Sequence, residues 1–112
     1  MSQSEAKRRR ILHYAGADGR RYFSEWIRGL NDRKGVSVIL ARLARIKAGG
    51  SFGDVEPVGE GASEMKIDFG PGYRVYFGLD GDTLVVLLAG GDKDSQARDI
   101  QIAKRRWRHY NA

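Results

Sequence analysis

The chain has 112 residues, no cysteine and a formal net charge of +6 at pH 7. This length supports one modest core, so we predict a single domain over residues 1–112, in which the polar residues 1–7 are disordered. The lack of cysteine excludes disulfides and thiolate metal sites and fits a cytoplasmic protein, and no apolar run reaches the ~20 residues of a membrane span. The positive charge favours a polyanionic partner, although an acidic protein would exploit the same surface.

The first half of the chain predicts a short strand followed by two helices. Residues 11–14 are the strand candidate, and apolar residues then recur at helical spacing over residues 20–30 and 33–48. Asp32 stands where it caps the second helix, and a glycine pair after residue 48 ends it. The short connection between the helices implies an antiparallel helical hairpin laid on a sheet.

Two features of these helices have alternative interpretations. Trp26 is a conceivable platform for a stacked base, but its place in the first apolar stripe favours a core residue. Arg42 and Arg45 lie beside the second stripe, where they either contact RNA or simply face solvent. The predicted buried stripe of the second helix comprises Val36, Ile39, Leu40, Leu43 and Ile46.

The middle of the chain predicts a loop and then two strands. Residues 51–62 are rich in glycine and carry several acids, so we expect a loop there. Polar and apolar residues alternate over residues 64–69 and 73–77, which predicts two strands with one buried face each. The segment Gly70-Pro71-Gly72 is suited to the turn between them.

The chain continues with a hairpin turn, a buried strand and a last helix. Asp80-Gly81 is the strongest short hairpin signal in the sequence. Residues 84–88 are apolar without interruption, which is typical of a central strand covered on both faces. Asp94-Ser95 is then expected to cap a C-terminal helix that carries several basic residues.

The alternation predicts that positive side chains meet on one face of the sheet. If the apolar residues point inward, Lys66, Arg74 and Tyr76 project together from the opposite face, with Lys93 nearby after the buried strand. Such cations hold a phosphate and stabilise a pentacoordinate transition state, while RNA supplies its own nucleophile, the 2′-hydroxyl. Crowding of cations is expected to lower a lysine pKa, so that Lys66 or Lys93 moves a proton near neutral pH.

A structural interpretation of the same residues stands beside the chemical one. In it, Lys66 and Arg74 pair with Glu64 or Asp68 across the hairpin and hold the strands together. The two histidines do not lie at a metal-binding spacing, so we predict neither a metal site nor another cofactor.

Four segments of the chain resemble one branch of a toxin superfamily. They are FSEWIRGLND, ILARLARIKAGGSFGDVEPVGEG, EMKIDFGPGYRVYF and LLAGGDKDSQARDIQIAK, which together cover most of residues 22–104. These segments resemble the phage-derived addiction module killer branch of the RelE/HigB toxins. The resemblance implies an α+β fold in which two N-terminal helices pack on a small, curved, mostly antiparallel sheet, with a C-terminal helix in addition.

The resemblance also implies an activity and partners. Toxins of this kind belong to type II toxin–antitoxin systems and cut mRNA in the ribosomal A site without a metal ion, which inhibits translation. A cognate helix-turn-helix antitoxin is expected to neutralise the toxin and to repress the operon.

The resemblance assigns roles to single residues. Arg74 matches the phosphate-binding arginine, Lys66 replaces the arginine of an ELR motif, and Lys93 matches a basic position after the last strand. Some relatives use a tyrosine or a histidine near the C-terminal element as acid or base. Asp99 stands near the place of that tyrosine, and the looser substitutes are Tyr76, His109 and Tyr110. The catalytic candidates are therefore Arg74, Lys66, Lys93 and Asp99. The RNA-binding candidates are Arg42, Arg45, Tyr76, Gln96 and Arg98.

Two other functions remain compatible with the sequence. A ParE-like inhibitor of gyrase shares this fold and acts by binding rather than by cutting RNA. A non-catalytic module would use the same basic face to bind structured RNA or an acidic protein.

Overall fold

The computed structural model describes residues 7–112, which form five strands, three α-helices and one 3-10 turn. The elements in chain order are β1 (Arg10–His13), α1 (Tyr22–Gly29), α2 (Arg33–Lys47), β2 (Asp54–Gly59), β3 (Ala62–Ile67), β4 (Tyr73–Asp80), β5 (Leu84–Asp92), the 3-10 turn (Lys93–Ser95) and α3 (Gln96–Tyr110). No helix in this range is both long enough and apolar enough to cross a membrane.

The five strands form one mixed sheet in the order β1-β5-β4-β3-β2. Neighbouring strands from β2 to β5 pair antiparallel, whereas β1 pairs parallel with β5, from Arg10 opposite Leu84 to His13 opposite Leu87. The α+β class is confirmed. The order that the resemblance implies, with the two helices at the N-terminus, is wrong because β1 precedes them. The strand candidate at residues 11–14 is confirmed, since it overlaps β1. Parallel strands need a long crossover, so no local turn signal in the sequence reveals this pairing.

Both faces of the sheet are covered by helices. Helices α1 and α2 contribute Phe23, Ile39 and Leu43 to the core on one face, and α3 contributes Ala103 and Trp107 to the core on the other. The side chains of β5 alternate between these cores, and those of its central residues are fully buried: Val85, Val86, Leu87 and Leu88. The prediction of a strand covered on both faces is confirmed.

Residues 54–59 correct the predicted loop, since they form the edge strand β2 against β3. Proline is compatible with this position because an edge strand leaves one row of N–H groups without a strand partner. A bulge between Pro57 and Gly59 accompanies the proline. Glycine and proline obscured the strand pattern in the sequence.

The predicted turns and the first predicted cap are present. Gly70, Gly72 and Gly81 have φ values of +57°, +80° and +74°, which glycine adopts without steric cost. The Asp32 carboxylate accepts a 2.9 Å hydrogen bond from the Gly35 N–H and so caps α2. These signals are local, which is why the sequence reveals them.

Some local predictions need correction. Ser95 occupies the N-cap position of α3 as predicted, but its side chain makes no capping hydrogen bond there. The side chain of Asp92 instead caps the preceding 3-10 turn, in a capping box with Ser95. Leu40 was expected in the buried stripe of α2 but is 47% exposed. Trp26 is only partly buried, although it packs against the core as expected. Of the segment predicted to be disordered, residues 1–6 lie outside the described residues, and Lys7 forms a 2.6 Å ion pair with Asp82.

Trp107 joins α3 to the sheet. Its side chain is buried, and a Cβ atom on Gly78 of β4 would lie 2.6 Å from the indole ring. This close approach requires glycine on the strand, and the ring also stacks on Tyr110.

We expect Trp107→Ala to lower the free energy of unfolding by about 3–5 kcal/mol, the usual cost of removing a buried aromatic side chain. Urea denaturation followed by circular dichroism measures it. The control Leu79→Ala, at a side chain that is 46% exposed, is expected to change stability by less than about 1 kcal/mol. Equal effects of the two substitutions would contradict this packing.

Candidate functional site: a basic cleft at the end of the sheet

An open cleft of about 440 Å³ lies around the turn between β3 and β4, where the ends of several strands meet. We call it the basic cleft, because four of its six charged side chains are cationic. Those six are Arg42, Asp54, Lys66, Asp68, Arg74 and Lys93. Three of the four catalytic candidates therefore line one cavity, together with one RNA-binding candidate.

The strand register brings the cations together. Lys66 on β3 lies opposite Arg74 on β4, and Arg74 lies opposite Gly91 on β5. Directly opposed residues of antiparallel strands have Cβ atoms only about 5 Å apart. The alternation of β3 and β4 therefore places the two cations side by side.

Gly72 brings Arg74 close to Lys93. A Cβ atom on Gly72 would lie 3.4 Å from Arg74 Nη1 and 3.6 Å from Lys93 Cβ, and its φ of +80° also disfavours other residues. Lys93 is exposed at the start of the 3-10 turn that Asp92 caps. A small, well-defined turn thus holds the arginine and the lysine around one space.

Lys66 is ion-paired in the structure. Its ammonium group contacts the carboxylate of Glu56 on β2, and this hydrogen bond raises the pKa of Lys66 above its usual value. The expectation of a lowered pKa is wrong for Lys66, because the nearest charge is an anion rather than another cation. The partner also differs from the predicted Glu64 or Asp68, since the sequence did not reveal β2.

Arg74 is largely enclosed. Its side chain is 12% exposed, and its Nη1 atom donates to the backbone oxygens of Gly72 (3.1 Å) and Tyr73 (3.4 Å). Its Nε atom is buried, lies 3.9 Å from the nearest oxygen of Glu64 and has no hydrogen-bond partner among the described residues. The guanidinium group is thus restrained on one side while the other borders the cleft.

Tyr76 corrects a prediction. It was expected to emerge beside Lys66 and Arg74, but it is fully buried because α3 covers this part of the sheet face. Its hydroxyl donates a 3.0 Å hydrogen bond to Glu64. Burial, and then this hydrogen bond to Glu64, raise the pKa of Tyr76 well above its usual value. The buried Tyr76 side chain therefore contacts Glu64 inside the protein and is not accessible to RNA.

Glu64 is a buried carboxylate beside the basic cleft that the sequence pattern did not single out. It is 2% exposed, and one carboxylate oxygen accepts hydrogen bonds from Tyr76 (3.0 Å) and from Gln96 Nε2 at the start of α3 (2.8 Å). Gln96, an RNA-binding candidate, therefore points into the protein. Alternation correctly placed Glu64 on the polar face of β3, but no local pattern shows that α3 seals that face.

Asp99 and Arg98 lie outside the basic cleft. They line a neighbouring pocket with Trp26 at the end of β5. Asp99 is 5% exposed and accepts a 2.5 Å hydrogen bond from Ser95 Oγ. The structure therefore does not bring Asp99 together with the three cationic catalytic candidates.

The two arginines of α2 have different positions. Arg42 reaches the cleft while donating a 3.1 Å hydrogen bond to the Phe52 carbonyl, and burial together with the charge of Arg45 lowers its pKa. Arg45 is exposed and donates to the Ser51 carbonyl (3.0 Å). Both hold the loop before β2, and only Arg42 also lines the cleft.

Comparison with known proteins identifies a relative. An uncharacterized protein of Haemophilus influenzae is 43% identical to this chain over 82 residues, which are 73% of the chain and 82% of the relative. The chain belongs to the same protein family as this Haemophilus protein. No family model matches the chain, and no solved structure matches it.

The pairing of Lys66 generates a test. We expect Glu56→Gln to lower the pKa of Lys66, since the variant removes the anion that favours the charged amine. NMR titration of the lysine side-chain carbons measures this pKa. The control Glu60→Gln, which removes a partner of Arg108 instead, is expected to leave the pKa of Lys66 unchanged. An unshifted Lys66 in Glu56→Gln would contradict the pairing.

Proposed function

We propose that this protein is the toxin of a type II toxin–antitoxin module. In this proposal it has a RelE-like fold and acts as a ribosome-dependent mRNA endoribonuclease that needs no metal ion. The observation that carries the proposal is the convergence of Lys66, Arg74 and Lys93 on one open cleft. These are three positions at which the resemblance expects phosphate-binding or catalytic cations.

The charges of the cleft suit the transition state of RNA cleavage. The 2′-oxygen attacks the adjacent phosphorus, the bond to the 5′-oxygen breaks, and a 2′,3′-cyclic phosphate remains. Negative charge grows on the phosphate oxygens during this step, and preorganised cations stabilise it more than they stabilise the substrate. Arg74 offers a planar fork for two phosphate oxygens, and Lys93 offers a mobile point charge.

Lys66 is better suited to donate a proton than to accept one. Glu56 raises its pKa, so it is protonated at neutral pH. In the proposed reaction it stabilises the leaving 5′-oxygen or donates a proton to it. The proton of the 2′-hydroxyl must then pass to a group other than Lys66.

The proposed partners follow from the same assignment. The substrate is mRNA held in the ribosomal A site, and a helix-turn-helix antitoxin neutralises the toxin in the cytoplasm. The net charge of +6 favours approach to ribosomal RNA and strengthens any RNA contact at low salt.

A non-catalytic RNA-binding module is the second candidate. It is favoured by the raised pKa of Lys66 and by the position of Asp99 outside the basic cleft, which leave the predicted residues short of a proton acceptor. Such a module would bind RNA in a salt-sensitive way without cutting it, even on ribosomes.

Induced expression of the unmodified protein is expected to arrest translation and to cut mRNA at codon boundaries. Arg74→Ala is expected to reduce cleavage about 10²- to 10³-fold, the scale of losing one preorganised donor. Primer extension on mRNA from arrested ribosomes measures both. The matched control is Arg108→Ala, which removes an equal charge from an exposed pair with Glu60 and should leave cleavage intact.

Other outcomes of this experiment separate the candidates. Equal cleavage by the unmodified protein and by Arg74→Ala would remove the basic cleft from the mechanism. Salt-sensitive RNA binding without cleavage would favour the binding module. DNA damage without mRNA cleavage would favour a ParE-like gyrase inhibitor.

A further inference from the structure

We propose that Glu64 is a positioning residue that sets the guanidinium group of Arg74 for an incoming phosphate. An anion in the basic cleft draws Arg74 off the backbone carbonyls and onto the buried Glu64 carboxylate. The identity of that anion as an RNA phosphate rests on the proposed function. The pairing of Arg74 with Glu64 requires only that the cleft binds phosphate.

The carboxylate of Glu64 is held in one orientation. Tyr76 and Gln96 both donate to Oε2, whereas Oε1 is the oxygen that faces Arg74 Nε. Two donors on one oxygen fix the plane of the carboxylate and leave the other oxygen available. A buried carboxylate of this kind is costly unless it has hydrogen bonds and a compensating positive charge. Arg74 supplies the nearest such charge.

The contact between Arg74 and Glu64 is incomplete. The separation of 3.9 Å between Nε and Oε1 is too long for a hydrogen bond, and Nε is buried without a partner in the described part of the chain. An unsatisfied buried donor is unfavourable, and a charged pair at about 2.8 Å is the arrangement that satisfies it. A shift of roughly 1 Å closes the gap between the observed and the ideal distance.

Backbone carbonyls keep the guanidinium group of Arg74 away from Glu64, and a bound anion would compete with them. Nη1 is engaged by the carbonyls of Gly72 and Tyr73, which keeps the fork turned along the backbone. A phosphate in the cleft competes for the Nη atoms with a full negative charge, against carbonyls that carry only partial charge. Once Nη1 leaves the carbonyls, the guanidinium is free to rotate and Nε meets Glu64. The phosphate then meets a guanidinium group whose Nε edge is held by the Glu64 carboxylate.

This arrangement links the cleft to α3. Gln96 lies in the first turn of α3 and donates to Glu64, which in turn faces Arg74. The chain of contacts gives Gln96 a role behind the cleft, in place of the direct RNA contact that the sequence predicted.

The test uses the side-chain N–H signal of Arg74 in protein labelled with ¹⁵N-arginine, without and with inorganic phosphate and a 2′-O-methyl RNA trinucleotide that resists cleavage. In the unmodified protein, each anion is expected to slow solvent exchange of the Arg74 Nε–H about tenfold or more, the scale of one hydrogen bond to a charged group. In Glu64→Gln that protection is expected to be lost. The control Glu60→Gln should behave like the unmodified protein.

Two results would overturn the proposal. One is an exchange rate of the Arg74 Nε–H that phosphate and the trinucleotide leave unchanged in the unmodified protein. The other is full protection in Glu64→Gln. If Glu64→Gln does not fold, Gln96→Ala replaces it in the test. Gln96 is only partly buried, and this substitution removes one of the two hydrogen-bond donors that orient Glu64. Unchanged protection in Gln96→Ala would then contradict the proposed orientation.

Cleavage kinetics provide a separate readout. On programmed ribosomes, Glu64→Gln is expected to lower kcat about 10²-fold, the cost of a misplacement near 1 Å, with KM within about twofold. Glu64→Asp, which keeps the charge, should recover part of kcat. A change confined to KM would contradict a positioning role. If the unmodified protein does not cut mRNA, the proposed function fails, and the exchange measurement still decides the role of Glu64.

Discussion

The register between β3 and β4 is the constraint on which the basic cleft depends. It places Lys66 opposite Arg74 and Arg74 opposite Gly91, and the turn at Gly72 brings Lys93 to the same space. A slip of one residue would send these side chains to the face that α1 and α2 cover. The burial of Met65, Ile67 and Val75 in that core therefore fixes the register. The same strand register therefore buries the apolar side chains of the core and brings the cationic side chains of the cleft together.

A second constraint is the extent of α3 across the opposite face. The helix covers Tyr76 and Glu64 and ends its cover before Arg74 and Lys66. One sheet face thus carries a buried polar network at one end and an open cationic cleft at the other. Arg74 stands at the boundary, with a buried Nε atom and a head group that borders the cleft. Boundaries of this kind combine positional restraint with access to a ligand.

Local signals in the sequence predicted much of this arrangement. Alternation revealed β3 and β4, the glycine turns were placed correctly, and the cap at Asp32 and the buried strand β5 were anticipated. The predictions failed where distant segments meet. The parallel pairing of β1, the edge strand β2 that brings Glu56 to Lys66, and the cover of Tyr76 by α3 depend on tertiary packing. Lys66 and Arg74 were found because charge on an alternating strand is a local signal, and Lys93 because it directly follows the buried strand. Asp99 was placed by resemblance alone.

A crystal structure of the protein bound to a 2′-O-methyl RNA trinucleotide would show whether the basic cleft holds RNA. We expect a phosphate between the guanidinium of Arg74 and the ammonium of Lys93, with the Nε atom of Arg74 within hydrogen-bond distance of Glu64. An RNA phosphate bound instead along the exposed arginines of α3, with Arg74 unchanged and the basic cleft empty, would contradict this expectation.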